Sequence, residues 1–153
     1  MDSAPVLAPP ERRVSATRMA RLNDLLVGPE GALQEALRLL VARVAGALGA
    51  SLADANGLPI ASTFPDRGDL RLASAMATMI AKASKGVLDG LGKDRFLSVT
   101  IEGAANVVVA CEVSEGAGSL ILVVERGGDL DAASREIVRT AMEVTTILDL
   151  DVC

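Results

Sequence analysis

Gly86-Val87-Leu88-Asp89-Gly90-Leu91-Gly92-Lys93-Asp94 is the stretch that comes nearest to a phosphate-binding loop. Such a loop cradles phosphates with backbone amides, sets a lysine on them and places a Ser or Thr hydroxyl on magnesium. Here the glycine spacing is one residue too long, Asp94 stands where the hydroxyl belongs, and the segment follows a helical pattern rather than a strand. It reads as a helix end and a loop. The chain has no histidine, so no histidine general base and no His-containing triad can be built. The carboxylates are scattered over caps and turns. Cys111 and Cys153 form no CxxC pair, zinc spacing or disulfide framework. Cys111 lies in an apolar run and is expected to be a small buried hydrophobe. Cys153 has no lipidation context and is expected to be a free terminal thiol. Neither an enzyme nor a cofactor or metal is expected.

Charged chemistry of another kind lies on one long helical segment, Arg71 to Leu88. On a wheel, Arg71, Ser74, Thr78, Lys82, Lys85 and Asp89 collect in one narrow stripe. Leu72, Met76, Met79, Ile80, Ala83 and Val87 make a bulky face, and Ala73, Ala77, Ala81 and Leu88 a mostly small sector between the two. A surface helix normally buries one apolar stripe and solvates the rest. The bulky face is expected to cover a sheet. The small sector then needs a second helix, because small side chains let helix axes approach to about 8 Å. Self-association through Ala73, Ala77 and Ala81 is the expectation, with the polar stripe left for another protein. An arginine at Ala77 should then split the pair and spare the fold.

The elements that hold this helix are legible on either side of it. Residues 1–14, with Pro5, Pro9 and Pro10, read as a disordered arm. Ser15 is expected to cap a short helix over 16–26, stopped at Gly28-Pro29, so that 15–28 forms an N-terminal helical extension. A second helix runs from Pro29 to about Ala45, with Leu33, Leu37, Leu40, Val41 and Val44 on one stripe. Gly46 ends it. Two short apolar runs then flank Asp54-Ala55-Asn56-Gly57, a hairpin signal because Asn and Gly accept positive φ. Pro59 marks the second run as an edge strand, since proline donates no ladder hydrogen bond. After the long helix, Arg95–Glu102 alternates: Leu97, Val99 and Ile101 point one way, Phe96, Ser98, Thr100 and Glu102 the other. Asn106–Val113 and Leu120–Val124 read as central strands buried on both faces. Asp129 or Asp131 caps a last helix with Ala133, Ile137, Ala141, Val144 and Leu148 inward. A mixed sheet with helices on both faces accounts for the buried strands.

Composition narrows the function classes. At 153 residues and half hydrophobic, one domain with a real core is expected. Net charge is −5, which repels phosphate backbones and disfavours nucleic acid. Phe64 and Phe96 are the only aromatic residues, too few for base stacking. The same scarcity leaves little to line a small-ligand pocket. No apolar run is long and charge-free enough for a membrane span, and Met1-Asp2-Ser3-Ala4-Pro5 has no basic n-region. A cytoplasmic protein is expected.

Leu52-Ala53-Asp54-Ala55-Asn56-Gly57-Leu58-Pro59-Ile60-Ala61-Ser62 resembles the hairpin of the Roadblock/LC7 family, D-x-x-G-hydrophobic-hydrophobic-I-A-S. The Ala-rich second helix of that pattern, three Val/Leu/Ile strands and an acidic-capped closing helix extend the resemblance over about Leu33 to Leu148, within a domain of 29–150 and a tail of 151–153. The resemblance implies an α/β (α+β) three-layer fold. Its five-stranded antiparallel sheet has the order 2-1-5-4-3, with one helix on one face and two on the other. It implies dimers joined through the long helix and the third strand, which brings Phe96, Ser98 and Thr100 to the pairing edge beside Ala73, Ala77, Ala81 and Leu88. It also implies a platform or activator for a Ras-like small GTPase, docked on Arg71, Ser74, Thr78, Lys82 and Lys85. Arg71 or Arg67 would be the arginine to supply, unless the partner's own switch loops are reshaped. A structural light-chain or scaffold subunit is the alternative, and a small-ligand sensor a further one.

Overall fold

Leu33, Leu37, Leu40 and Val44 recur at helical spacing and are all buried. They lie on α1, the helix over residues 30–43, and just past its end. The computed structural model describes residue 28 and residues 30–64, 67–92 and 94–152. The expected arm, the 16–26 helix, Arg67's side chain and Cys153 lie outside what is described. After α1 come β1 (Ala47–Asp54), β2 (Pro59–Ser62), α2 (Arg67–Gly90), β3 (Val99–Glu102) and β4 (Asn106–Val113). A single 3-10 turn, Ser114–Gly116, leads to β5 (Gly118–Glu125) and α3 (Leu130–Val152).

The strands form one sheet in the order β2-β1-β5-β4-β3, and every neighbouring pair is antiparallel. The mixed sheet expected from the buried runs is therefore corrected. Long strands flanked on both faces by helices need not be parallel. Pro59 does open an edge strand, with only β1 beside it.

The two faces of the sheet carry very different cores. On one, Leu33, Leu37 and Leu40 of α1 and Ala133, Ile137, Ala141 and Val144 of α3 pack on Leu52, Val107, Val109, Cys111, Val113, Leu120, Leu122 and Val124. Full burial of such a side chain contributes roughly 1.5–3 kcal/mol, so this layer dominates stability. Asp129 starts α3 as expected, its Oδ1 accepting from the Ala132 amide at 3.0 Å. The Ala45 carbonyl accepts from the Asp129 amide at 2.9 Å, which joins the end of α1 to the start of α3. On the other face the cluster is small: Ala77 of α2 with Ala110 and Ile121, edged by Val99 and Val108.

The hairpin turn forms as its residues dictate. Asp54 Oδ1 accepts from the Asn56 and Leu58 amides at 2.9 and 3.0 Å, and Gly57 sits at φ +85°, where a side chain is strained. A Cβ on Gly57 would also lie 2.8 Å from the Ala75 Cα of α2.

Candidate functional site

α2 lies the other way up from the sequence expectation. Ser74, Ala77, Thr78 and Ala81 are each 6% exposed or less. Leu72, Met76, Met79 and Val87 are 52% to 69% exposed. The small face is against the sheet, and the bulky face is in solvent. The physical reason is visible in the strands beneath. Ser51 of β1 and Ser119 of β5 are buried polar residues that need hydrogen-bond partners. Only the small face of α2 supplies them. Ser74 Oγ lies 3.0 Å from Ser51 Oγ, and Thr78 Oγ1 lies 2.6 Å from Ser119 Oγ.

These contacts correct several assigned roles. Ser74 and Thr78 were expected on a partner-facing stripe, but they are spent on the sheet. Ala77 and Ala81 were expected between two copies, but they sit in the protomer's own core. Leu88 is half-buried and continues the same underside. Ala73 is exposed. Of the charged stripe, Lys85 pairs with Glu112 at 3.3 Å, and Lys82 Nζ donates to the Ala55 carbonyl at 2.9 Å while remaining exposed. Arg71 is exposed. The structure thus separates Arg71 and Lys82, on an open flank, from Ser74 and Thr78 beneath.

The third strand is also shorter than its alternation suggests. β3 spans Val99–Glu102, so Arg95 to Ser98 lie outside the ladder. Phe96 and Ser98 are half-buried, and Thr100 is exposed on the strand. Leu97 and Ile101 are also exposed. On α2 the exposed apolar residues form a stripe, where single ones are the norm on a monomer. Leu72, Met76, Met79 and Val87 were not assigned a partner role from sequence. Their signal was the hydroxyl-bearing stripe opposite them, which marks the buried side.

Among the described residues no group of His, Cys, Asp or Glu is placed to hold a metal ion, and no helix is long and apolar enough to cross a membrane. Cys111 is buried as expected, its Sγ 3.7 Å from the Ile137 carbonyl. Burial, and secondarily the charge of Glu112, pushes its thiol up from about 9 to about 12. Two consequences follow. Alkylation of Cys111 at neutral pH is expected to proceed only through opening of the chain, at a rate that rises with denaturant. Between about pH 9 and 12 the unfolded thiol ionises while the folded one does not, so stability should fall as pH rises. Denaturant titrations of Cys111→Ala across that range should show a shallower fall than wild type.

The Roadblock/LC7 domain family model matches residues 33–125. The chain belongs to the Roadblock/LC7 family. Among curated proteins none matches it. Solved Roadblock/LC7 structures do. A Roadblock/LC7 domain from Streptomyces avermitilis is 18% identical, with a TM-score of 0.68, over 75% of this chain and 96% of that one. MglB of Myxococcus xanthus is 20% identical, TM-score 0.68, over 78% and 90%. The gliding protein MglB of Thermus thermophilus is 22% identical, TM-score 0.68, over the same shares. At these identities the likeness is one of fold. It shows the antiparallel order 2-1-5-4-3 and three helices as the Roadblock/LC7 architecture, here with α2 alone on one face.

Proposed function

We propose that this Roadblock/LC7 protein works as a homodimer that binds and regulates a Ras-like small GTPase without catalysing a reaction of its own. One observation carries the dimer: α2 turns Leu72, Met76, Met79 and Val87 to solvent beside an unpaired β3 edge. An exposed apolar helix stripe and an open strand edge both favour a partner, and a second copy offers both surfaces at once. The pairing is isologous, so each contact occurs twice. The stripe narrows toward its C-terminal end at Ala83, Gly86 and Gly90, which lets two helices approach closely there.

The GTPase partner rests on the family. Many Roadblock/LC7 members serve as platforms or activators for Ras-like GTPases and others as dynein light chains, and one solved MglB is described in a tetrameric arrangement. Arg71 and Lys82 flank the apolar stripe and stay exposed after the helix has docked, which suits a rim that steers an acidic partner surface. Ser74 and Thr78 take no part. The test is titration against the Ras-like GTPases of the source organism, loaded with GDP or with a non-hydrolysable GTP analogue. The expected result is binding that prefers one nucleotide state and weakens as salt screens the rim. Absence of binding in both states would leave the scaffold-subunit role as the better one.

A further inference from the structure

β4 is longer than the strand beside it. Val107 to Ala110 pair with β3, whereas Cys111, Glu112 and Val113 pair with β5 and have no β3 residue opposite them. Across the gap lie Phe96, Leu97 and Ser98, whose backbone joins no ladder. Between this segment and α3 is a cleft of about 370 Å³, bordered by Phe96, Leu97, Val138, Met142 and Thr145. At its floor the chain leaves β4 through Ser114 and Glu115, both at positive φ. The Ser114 Oγ is buried without a hydrogen-bond partner.

The observed register, carried back from Val99↔Ala110, sets Ser98 opposite Cys111, Leu97 opposite Glu112 and Phe96 opposite Val113. The faces agree. Val99 and Ala110 pack with Ala77 on the α2 side, so alternation puts Leu97 on that side and Phe96 and Ser98 on the α3 side. Phe96 would then fill the α3 cleft, and Leu97 would join the apolar surface beside α2.

We propose that residues 95–98 are a strap that zips onto β4 when two protomers pair. Pairing thereby lengthens β3 from Val99–Glu102 to Phe96–Glu102 and closes the α3 cleft. This rests on the dimer proposed above and concerns its regulation. In the lone protomer the strap would exchange hydrogen bonds to water for bonds on one side only, and would lose backbone freedom in doing so. A partner strand supplies bonds on the second side and covers Leu97. The reverse also holds by linkage: whatever holds the strap off β4 opposes pairing.

Hydrogen exchange on the full chain, followed by mass spectrometry, tests this, with Met79→Asp as the monomeric reference and light scattering as the check on assembly. In the wild-type dimer, peptides spanning 95–98 and 111–113 should exchange at least tenfold more slowly than in Met79→Asp, while α1 exchanges alike in both. A wild-type dimer in which these peptides keep the reference rate overturns the strap and leaves the dimer standing. A wild type that stays monomeric overturns both. Phe96→Asp is expected to weaken the dimer at least tenfold and leave the protomer's melting temperature unchanged, because Phe96 is only half-buried in the open strap. An unaffected dimer in that variant also overturns the strap.

Discussion

Ala77→Arg is expected to unfold the protein rather than merely separate its copies. Ala77 is 4% exposed and packs on Ala110 and Ile121, between α2 and the sheet. A methyl group fills the space available there. Arginine would bring a long side chain and a charge into a layer where Glu112, two residues beyond Ala110 on β4, is already paired with Lys85. An uncompensated buried charge costs about 3–5 kcal/mol, and overpacking adds a further ~1–3 kcal/mol. Against a typical total stability of about 5–15 kcal/mol, most of the fold's margin is lost. Circular dichroism and urea titration should show either no cooperative transition or a midpoint far below wild type. If the variant melts like wild type and changes only its assembly state, α2 has been placed with the wrong face down.

Met79→Asp should do the opposite. Met79 is 69% exposed, so a carboxylate there stays in water in the single chain, and stability should shift by no more than about 0.5 kcal/mol. In the proposed dimer the same carboxylate is buried twice, once per protomer, against an apolar helix. Light scattering should fall from about twice the chain mass to the single-chain 15.7 kDa. Stimulation of the GTPase should fall with it wherever the docking surface spans both copies. A dimer that survives Met79→Asp would move the interface away from the outer stripe of α2.

The pair of substitutions turns on what periodicity reveals and what it leaves open. The hairpin around Asp54–Gly57, the apolar stripes of α1 and α3 and the central strands were readable, because each has one pattern and one way to satisfy it. Pro59 fixed its own strand as an edge. α2 has two apolar faces, one bulky and one small, and a wheel shows both without showing which is down. Bulk ordinarily goes inward, and here it does not. Ser51 and Ser119 stand at buried positions in their strands, and a helix face bearing hydroxyls is the only one that satisfies them. Similarly, the alternation of Arg95–Glu102 told which side each residue prefers but not where the ladder stops. Hydrogen bonding depends on the neighbouring backbone, which no single strand's sequence records. The α3 cleft was illegible for the same reason, being made by residues brought together from distant parts of the chain.

The hairpin turn has a mechanical meaning beyond its shape. The Gly57 Cα rests on the backbone of α2 at Ala75 with no room for even a methyl group, and the Lys82 ammonium, further along the helix, is tied to the Ala55 carbonyl. The turn is a strut set under the helix near its first half. Pressure on the outer surface of α2 cannot be taken up there by the helix sinking toward the sheet. It passes through the strut into β1 and β2, at the edge of the sheet farthest from β3. The helix is thus held off the sheet at two places, by its small residues over β4 and β5 and by the turn over the β1–β2 edge.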